Sequence, residues 1–371
     1  MEAPSTLPTM VKDGHDEANE RERDTREMRR AVDVAATVRT STAPNPWVGC
    51  VILTTDGRRF EGATHPPGGP HAEAEALAAV RAAGADPAGS TAYVTLEPCS
   101  HLGRTPPCAD ALVDAKVGRV VVAVEDPDWK VAGQGLSRLR QAGIAVTTGV
   151  EAEAVTEQLL PYLTHRRTGR PFVVLKRAAT LDGGTAAPDG DSRWITGPQA
   201  RADVHRLRAE SGAVLVGAGT VRADDPSLTV RDAPGPDPLR VVLGTAPPDA
   251  KVHPCLGVQG DLGAVLDQLG DRGILQLLVE GGATVAASFH HRGLVDRYVL
   301  YLAPAFFGGR DALGLFNGRG AATMADVWRG RFLAATTLGD DLRVDVAPST
   351  STPSTPSPGR TAPAGRGEES N

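Results

Sequence analysis

Four residues with complementary chemistry stand in a fixed order along this chain: His71, Glu73, Cys99 and Cys108. They can act together only if the fold brings distant segments to one point, and that requirement constrains the chain more than any other feature. One imidazole and two thiolates suit zinc and leave a fourth tetrahedral position for water, whose pKa such a metal lowers toward neutrality. Glu73 stands two residues from His71, placed to carry protons rather than to bind the ion. A closed structural site would need a fourth protein ligand. His101 is the best candidate for one, but a structural site has no use for the Glu73 carboxylate.

The His-x-Glu followed by Pro98-Cys99 is the pattern of zinc hydrolytic deaminases. Where that pattern continues as Cys-x-x-Cys, this chain has eight residues, Ser100 to Pro107, before Cys108. The insert sets Ser100, His101, Arg104 and Thr105 beside the metal ligands. Hydroxyl and guanidinium donors match phosphate oxygens, so a phosphorylated small molecule is the expected substrate.

A length of 371 residues exceeds one ordinary domain and fits two. Apolar residues at 41% with aromatics at only 4% imply aliphatic α/β cores. A formal charge of −6 argues against non-specific nucleic-acid binding, which needs a basic excess. Four cysteines, two of them in the metal pattern, are no disulfide framework. Thiolate ligands imply a reducing, cytoplasmic setting. Cys50 reads as core, and Cys255, with only His253 near it, reads as ordinary. The charged N-terminus lacks an apolar signal core, and no run approaches the ~18 apolar residues of a membrane span.

Residues 1–24 lack apolar periodicity and read as a disordered extension. A helix is expected from Arg26, with Met28, Val32, Ala35 and Val38 on one face. A first domain (25–168) follows: strand 48–53, a hairpin at Asp56-Gly57, strand 59–64, helix 71–83, strand 92–96, helix 107–115, strand 120–124, a helix near 135–142 and strand 145–148. A second (169–346) contains strand 172–176, a helix over 198–210 that Thr196 could cap, strands 213–217 and 239–243, and strand 274–279 with a helix running on toward His291. Late strands fall at 298–302 and 342–346. The Pro/Ser/Thr-rich stretch 347–371 cannot bury a core and reads as disordered.

Two glycine-bearing strand-to-helix turns, 214–226 and 277–288, could let backbone N–H groups approach a phosphate. Neither fits the spaced dinucleotide fingerprint, so on spacing alone a purely structural role stays open. Lys176, Asp182, Ser192, Trp194, Arg208, Asp224 and Arg231 stand at strand ends and loops, where α/β sites form. Their ordinary reading, Arg208 on a solvated helix face and Trp194 as a loop anchor, stays open too.

Taken together, PNPWVG (44–49), GGPHAEAEAL (68–77), YVTLEPCSHLGRTPPC (93–108), VAGQG (131–135), LKRAATLDGG (175–184), DSRWIT (191–196), the run 201–231 and VEGGATV (279–285) closely resemble the bifunctional riboflavin-biosynthesis deaminase/reductases, over about residues 26–346. The resemblance implies an α/β chain: a cytidine-deaminase-like α/β/α sandwich, then a dihydrofolate-reductase-like α/β domain. It implies zinc-dependent deamination of 2,5-diamino-6-ribosylamino-4(3H)-pyrimidinone 5′-phosphate, then NADPH reduction of its ribosyl side chain to ribityl. By the same resemblance, His71, Cys99 and Cys108 hold Zn2+ and Glu73 shuttles protons. Asn45, His101, Arg104 and Thr105 line the first substrate site. Ala178, Trp194, Thr220, Asp224 and the turn Gly282, Ala283, Thr284, Val285, Ala286, Ala287 and Ser288 contact NADPH. Ser192, Arg208, Leu228, Arg231 and Glu280 contact the second substrate, with Arg208 and Arg231 suited to its 5′-phosphate. Asp224 is the first candidate for moving the proton that accompanies hydride, with Glu280 or Lys176 behind it. A homo-oligomer, dimer or tetramer, paired through strands such as 298–302, is also implied.

Three departures from that family stand out. Asp128 replaces the usual Asn of Asp-Pro-Asn, Thr180 replaces a Ser, and the segment 244–280 is short enough that a peripheral strand and helix are expected to be missing. Two rival readings share some of the features. A nucleic-acid-editing deaminase has the same zinc chemistry, but the acidic balance, the long insert and the second domain disfavour it. A zinc-stabilised nucleotide-binding scaffold leaves Glu73 unexplained.

Overall fold

The computed structural model describes residues 14–100, 106–128 and 132–349, and the chain divides into two compact units, Met1–Leu163 and Thr164–Asn371. Helix α1 spans Gly14–Ala36, which corrects the expected disorder for residues 14–24; residues 1–13 lie outside the described residues. Apolar periodicity missed these turns because they dock through charge. Buried Asp24 accepts bonds of 2.8 and 2.6 Å from Arg119 and 3.0 Å from Tyr93. Buried Glu27 is gripped by Arg59 at 2.6 and 2.8 Å. The same face continues through Met28, Ala31, Val34 and Ala35, whereas Val38, expected on it, lies beyond the helix end.

The first unit continues with β1 (Gly49–Leu53), β2 (Arg59–Ala63), α2 (Ala72–Ala82), β3 (Thr91–Leu96), α3 (Cys108–Asp114), β4 (Arg119–Val124), α4 (Gln134–Gln141) and β5 (Ala145–Thr148). Its sheet has the order β2-β1-β3-β4-β5. The β1 pairings are antiparallel, and β3-β4-β5 run parallel. Gly49 and Gly62 fall on opposite faces, since Cys50 pairs with Gly62 and side chains alternate. A Cβ on Gly49 would strike the α1 backbone at Ala31, and one on Gly62 the α2 backbone at Ala72. These two close approaches seat α1 and α2 on opposite sides and make the unit an α/β/α sandwich. Asp126 is buried and accepts the Tyr162 hydroxyl at 2.9 Å and the Asp128 N–H at 2.9 Å, so the Asp-Pro-Asp turn is internally tied. Helix α5 (Ala152–Thr168), for which the sequence suggested no element, spans the division between the units.

The second unit contains β6 (Phe172–Thr180), β7 (Gly184–Ala186), α6 (Pro198–Ala209), β8 (Ala213–Gly217), α7 (Ala218–Asp224), β9 (Leu239–Leu243), β10 (Leu256–Val258), α8 (Leu262–Asp271), β11 (Gln276–Val279), α9 (Ala283–His291), β12 (Arg297–Ala303), β13 (Leu313–Gly314), β14 (Gly330–Leu338) and β15 (Asp341–Pro348). The main sheet runs β10-β9-β8-β11-β6-β12-β15-β14. It is parallel from β10 to β12, and antiparallel where β15 joins β12 and β14 joins β15. Val173, Leu175, Leu215, Leu277 and Val279 pack with Leu266 and Leu269 of α8 and Ala286 and Phe289 of α9.

Four expectations are corrected here. The segment 244–280 does supply a strand and a helix, β10 and α8; Asp261 caps α8 by accepting the Ala264 N–H at 3.1 Å. Gly197, not Thr196, is the N-cap of α6, and its N–H goes to Asp341 at 2.7 Å. The strand around 298–302 is internal, flanked by β6 and β15, so it offers no edge for pairing. Strand β15 reaches Pro348, a little past the expected start of disorder. No helix among the described residues is long and apolar enough to cross a membrane.

Candidate active sites

In the first unit, three chain ends converge. His71 is the N-cap of α2, Cys99 follows the end of β3, and Cys108 opens α3. The Nδ1 of His71 lies 3.5 Å from the Cys99 Sγ and 3.4 Å from the Cys108 Sγ. Tetrahedral zinc, with Zn–S near 2.3 Å and Zn–N near 2.0 Å, sets its S···N edges at roughly 3.5 Å. The donor set therefore fits zinc in both chemistry and spacing. The Cys108 N–H, at the start of α3, donates to the Cys99 Sγ at 3.3 Å, a favourable place for thiolate charge. A hydrogen bond from the Cys108 thiol, opposed by burial, holds Cys99 down at about 4. The neighbouring thiol is pushed up in turn, because two adjacent sulfurs share one proton until a metal charge replaces it.

Glu73 is buried on the first turn of α2, and burial, then the Cys99 charge, pushes its carboxyl up to about 7. That value suits a group that takes and returns a proton near neutrality. Asn45 is half-buried in the turn before β1, its N–H bonded to the Thr42 carbonyl at 2.9 Å. His101, Arg104 and Thr105 lie outside the described residues.

Sequence reading passed over Glu97. Its buried carboxylate accepts four backbone N–H groups: Gly135 at 2.9 Å, Gly133 at 3.0 Å, and Asp126 and Leu136 at 3.3 Å. It thereby clasps the start of α4 to the segment that carries Cys99. A Cβ on Gly135 would strike the Pro98 carbonyl oxygen, so only glycine permits this approach. An acid before Pro-Cys and the glycines 36 and 38 residues on were the available signals, and only the fold relates them.

In the second unit, the C-terminal ends of neighbouring β6, β11 and β8 gather most of the expected residues. Glu280 binds Arg208 through two bonds, 2.6 and 3.0 Å, and Arg208 also donates to the Thr229 carbonyl at 3.1 Å. Burial alone would raise Glu280, but Arg208 holds it below its usual range; beside them, burial pushes the Lys176 ammonium down. With its guanidinium engaged in this way, Arg208 presents less to a phosphate than the exposed Arg231. Leu228 is buried at φ 53°, a strained conformation for a non-glycine residue.

The Gly282 N–H donates to the Thr220 Oγ1 at 3.2 Å, which joins the two glycine-bearing turns. Among the described residues no side chain caps α9, so its first-turn amides can meet an anion. Val285, Ala286 and Ala287 bury their side chains in the core, which leaves Gly282 to Thr284 approachable, with half-buried Ser288 a turn on donating to the Thr284 carbonyl at 2.9 Å. Trp194 is 72% exposed, with the Arg201 guanidinium 4.5 Å above its ring. Asp224 ends α7, and its carbonyl accepts from Arg193 at 2.7 Å. Ser192 and Ala178 are half-buried nearby in sequence and on β6 respectively. Asp182 instead accepts N–H groups of Phe307 and Gly308 at 3.3 and 2.9 Å, a tie to the segment after β12.

Residues 21–124 match the cytidine and deoxycytidylate deaminase zinc-binding region, and residues 171–344 match the RibD C-terminal domain. The riboflavin biosynthesis protein RibD of Escherichia coli (strain K12) is 40% identical over 358 residues, 85% of this chain and 96% of that protein. Its counterpart in Mycobacterium tuberculosis is 42% identical over 325 residues, 84% and 94% of the two chains. A solved structure of Acinetobacter baumannii RibD superposes with a TM-score of 0.83 at 38% identity, covering 89% of this chain and 100% of that one. A Thermotoga maritima diaminohydroxyphosphoribosylaminopyrimidine deaminase/5-amino-6-(5-phosphoribosylamino)uracil reductase gives 0.81 at 33% identity, covering 89% and 99%. With a His-Cys-Cys cluster and its buried acid in one unit and an uncapped glycine-bearing turn in the other, the chain belongs to the RibD family of bifunctional riboflavin-biosynthesis deaminase/reductases.

Proposed function

We propose that the first unit removes the 2-amino group of 2,5-diamino-6-ribosylamino-4(3H)-pyrimidinone 5′-phosphate. The second then reduces the ribosyl side chain with NADPH to give 5-amino-6-ribitylaminouracil 5′-phosphate. The observation that carries the first step is a buried carboxyl, Glu73, beside a three-donor set of zinc spacing. Zinc, when bound by His71, Cys99 and Cys108, supplies Lewis acidity toward water. Glu73 accepts one proton of the attacking water and passes it to the ring nitrogen, then carries the second, from the hydroxyl that becomes the new carbonyl, to the amino group that leaves as ammonia. Asn45, His101, Arg104 and Thr105 hold the pyrimidine and its ribose phosphate.

In the second unit NADPH supplies hydride, and the turn Gly282–Ser288 with Ala178, Trp194, Thr220 and Asp224 holds it. Leu228, Ser192 and Glu280 orient the substrate, and exposed Arg231 takes its phosphate, while Arg208 fixes the Glu280 carboxylate. Lys176, half-buried beside Glu280 with its ammonium pushed down, is better situated than Asp224 to deliver the accompanying proton. Coupled assay tests the whole reading: zinc-loaded protein given the diaminopyrimidine ribotide should release ammonia and then oxidise NADPH. Stripping the metal should stop ammonia release yet spare NADPH oxidation with the deaminated ribotide. Ammonia release that persists after complete zinc removal would refute the first step.

The partner in assembly is a second copy of this chain. Strand β14 is a sheet edge, and Phe332 on it is 79% exposed, with Phe306 at 71% and Met324 at 74% in the preceding segment. A long apolar edge of this kind invites pairing. The thiolate ligands and four free cysteines favour the reducing cytoplasm.

A further inference from the structure

Beneath the start of α9 lies a charge that the roles above leave unused. Successive side chains of β6 alternate between faces. Val173 and Leu175 point into the core formed with α8 and α9, so Arg177, next in that row, points to the same face. Lys176 points to the other, where Glu280 follows Val279, the register partner of Leu175. The cation on the Lys176 face has a carboxylate beside it. Arg177 does not: it is 9% exposed, its Nη1 donates to the Gly281 carbonyl at 2.6 Å, and its Nε has no hydrogen-bond partner. It forms no ion pair among the described residues, and burial alone pushes it down to about 10.

This arrangement is unfavourable twice over. A buried cation without a counter-charge is costly, and a positive group near a helix N-terminus opposes the macrodipole. Both penalties reverse sign when an anion sits over the turn, where the uncapped amides of α9 converge. We propose that Arg177 supplies fixed positive charge for the pyrophosphate of the nucleotide held at the α9 N-terminus, with the Gly281 carbonyl clamping its guanidinium in place. The inference rests on the reading of that turn as the NADPH site. It makes Arg177 a positioning and electrostatic residue, acting on affinity rather than on hydride transfer.

The test is NADPH binding to the full chain, followed by nicotinamide fluorescence, for the natural protein, Arg177→Met and Arg177→Lys. Inorganic pyrophosphate serves as competitor. Arg177→Met is expected to weaken NADPH about tenfold or more and to blunt pyrophosphate competition, with kcat at saturating NADPH nearly unchanged. Arg177→Lys, which keeps the charge, should stay within about threefold of the natural protein. Natural-type NADPH affinity in Arg177→Met would overturn the proposal, as would equal losses in both variants, since the charge would then be irrelevant. If the natural protein itself bound no NADPH, the nucleotide reading of the turn would fall, and this inference with it.

Discussion

Glu73 shows how burial makes a reagent of an ordinary side chain. The carboxyl is raised toward 7 because water is excluded and thiolate charge is near, not because of any feature of its own. Glu73→Gln keeps the shape and removes the proton traffic. Ammonia release is expected to drop by about 10²-fold or more, with zinc content and NADPH oxidation of the deaminated ribotide unchanged; near-natural deamination would remove the role. In the other unit two groups compete for the second proton. Lys176 and Asp224 are both half-buried, but Lys176 stands beside the Glu280 carboxylate with burial pushing its ammonium down, while Asp224 ends a helix. Lys176→Met should lower reductase kcat by about 10²-fold, and Asp224→Asn by less than tenfold, measured at saturating NADPH. The reverse ranking would return the role to Asp224.

At the scale of elements, what matters is how one segment holds another. The Glu97 carboxylate spans from the strand end that carries Cys99 to the start of α4 through four N–H groups. Outer partners of metal ligands typically govern metal affinity by about 10–100-fold. Glu97→Ala is therefore expected to lose zinc to a chelator at concentrations the natural protein withstands. Equal retention would reduce the clasp to a fold contact. Helix α1 offers a pH test. Hydrogen bonds from Arg59 hold Glu27 below the usual carboxylate range. A carboxyl lowered by folding stabilises above its unfolded pKa and loses that contribution as pH falls through the folded one. Thermal melts from about pH 6 to about pH 3 should show a smaller acid loss in Glu27→Gln, which starts from a lower stability near neutrality. An unchanged acid slope would mean the pair contributes nothing.

For the whole molecule, the proposed contact between copies rests on the exposed β14 edge and the apolar side chains before it. Phe332→Asp is expected to lower the mass in solution, read by light scattering, toward that of a single chain; an unaltered mass would place the contact elsewhere. The sequence by itself determined the chemistry. The His-x-Glu and Pro-Cys spacing, the glycine-bearing strand ends and the 41% apolar content are local or compositional, and they specify donor types, α/β cores and two domains. Most strand and helix positions were legible where apolar periodicity carried the packing, although α8 was passed over despite Leu262, Val265, Leu266 and Leu269 on its buried face. They were hidden in the part of α1 before Arg26, where the buried contact is the charged Asp24, and in α5 and β14, which the apolar pattern did not single out. Only the tertiary structure decided that Arg208 is spent on Glu280, that Glu97 clasps α4, that 298–302 is an interior strand and that Arg177 is held by a backbone carbonyl with no carboxylate partner among the described residues. Each of these is a relation between residues far apart in the chain, and the energy of a charge or a strand edge depends on what surrounds it, which sequence order does not state.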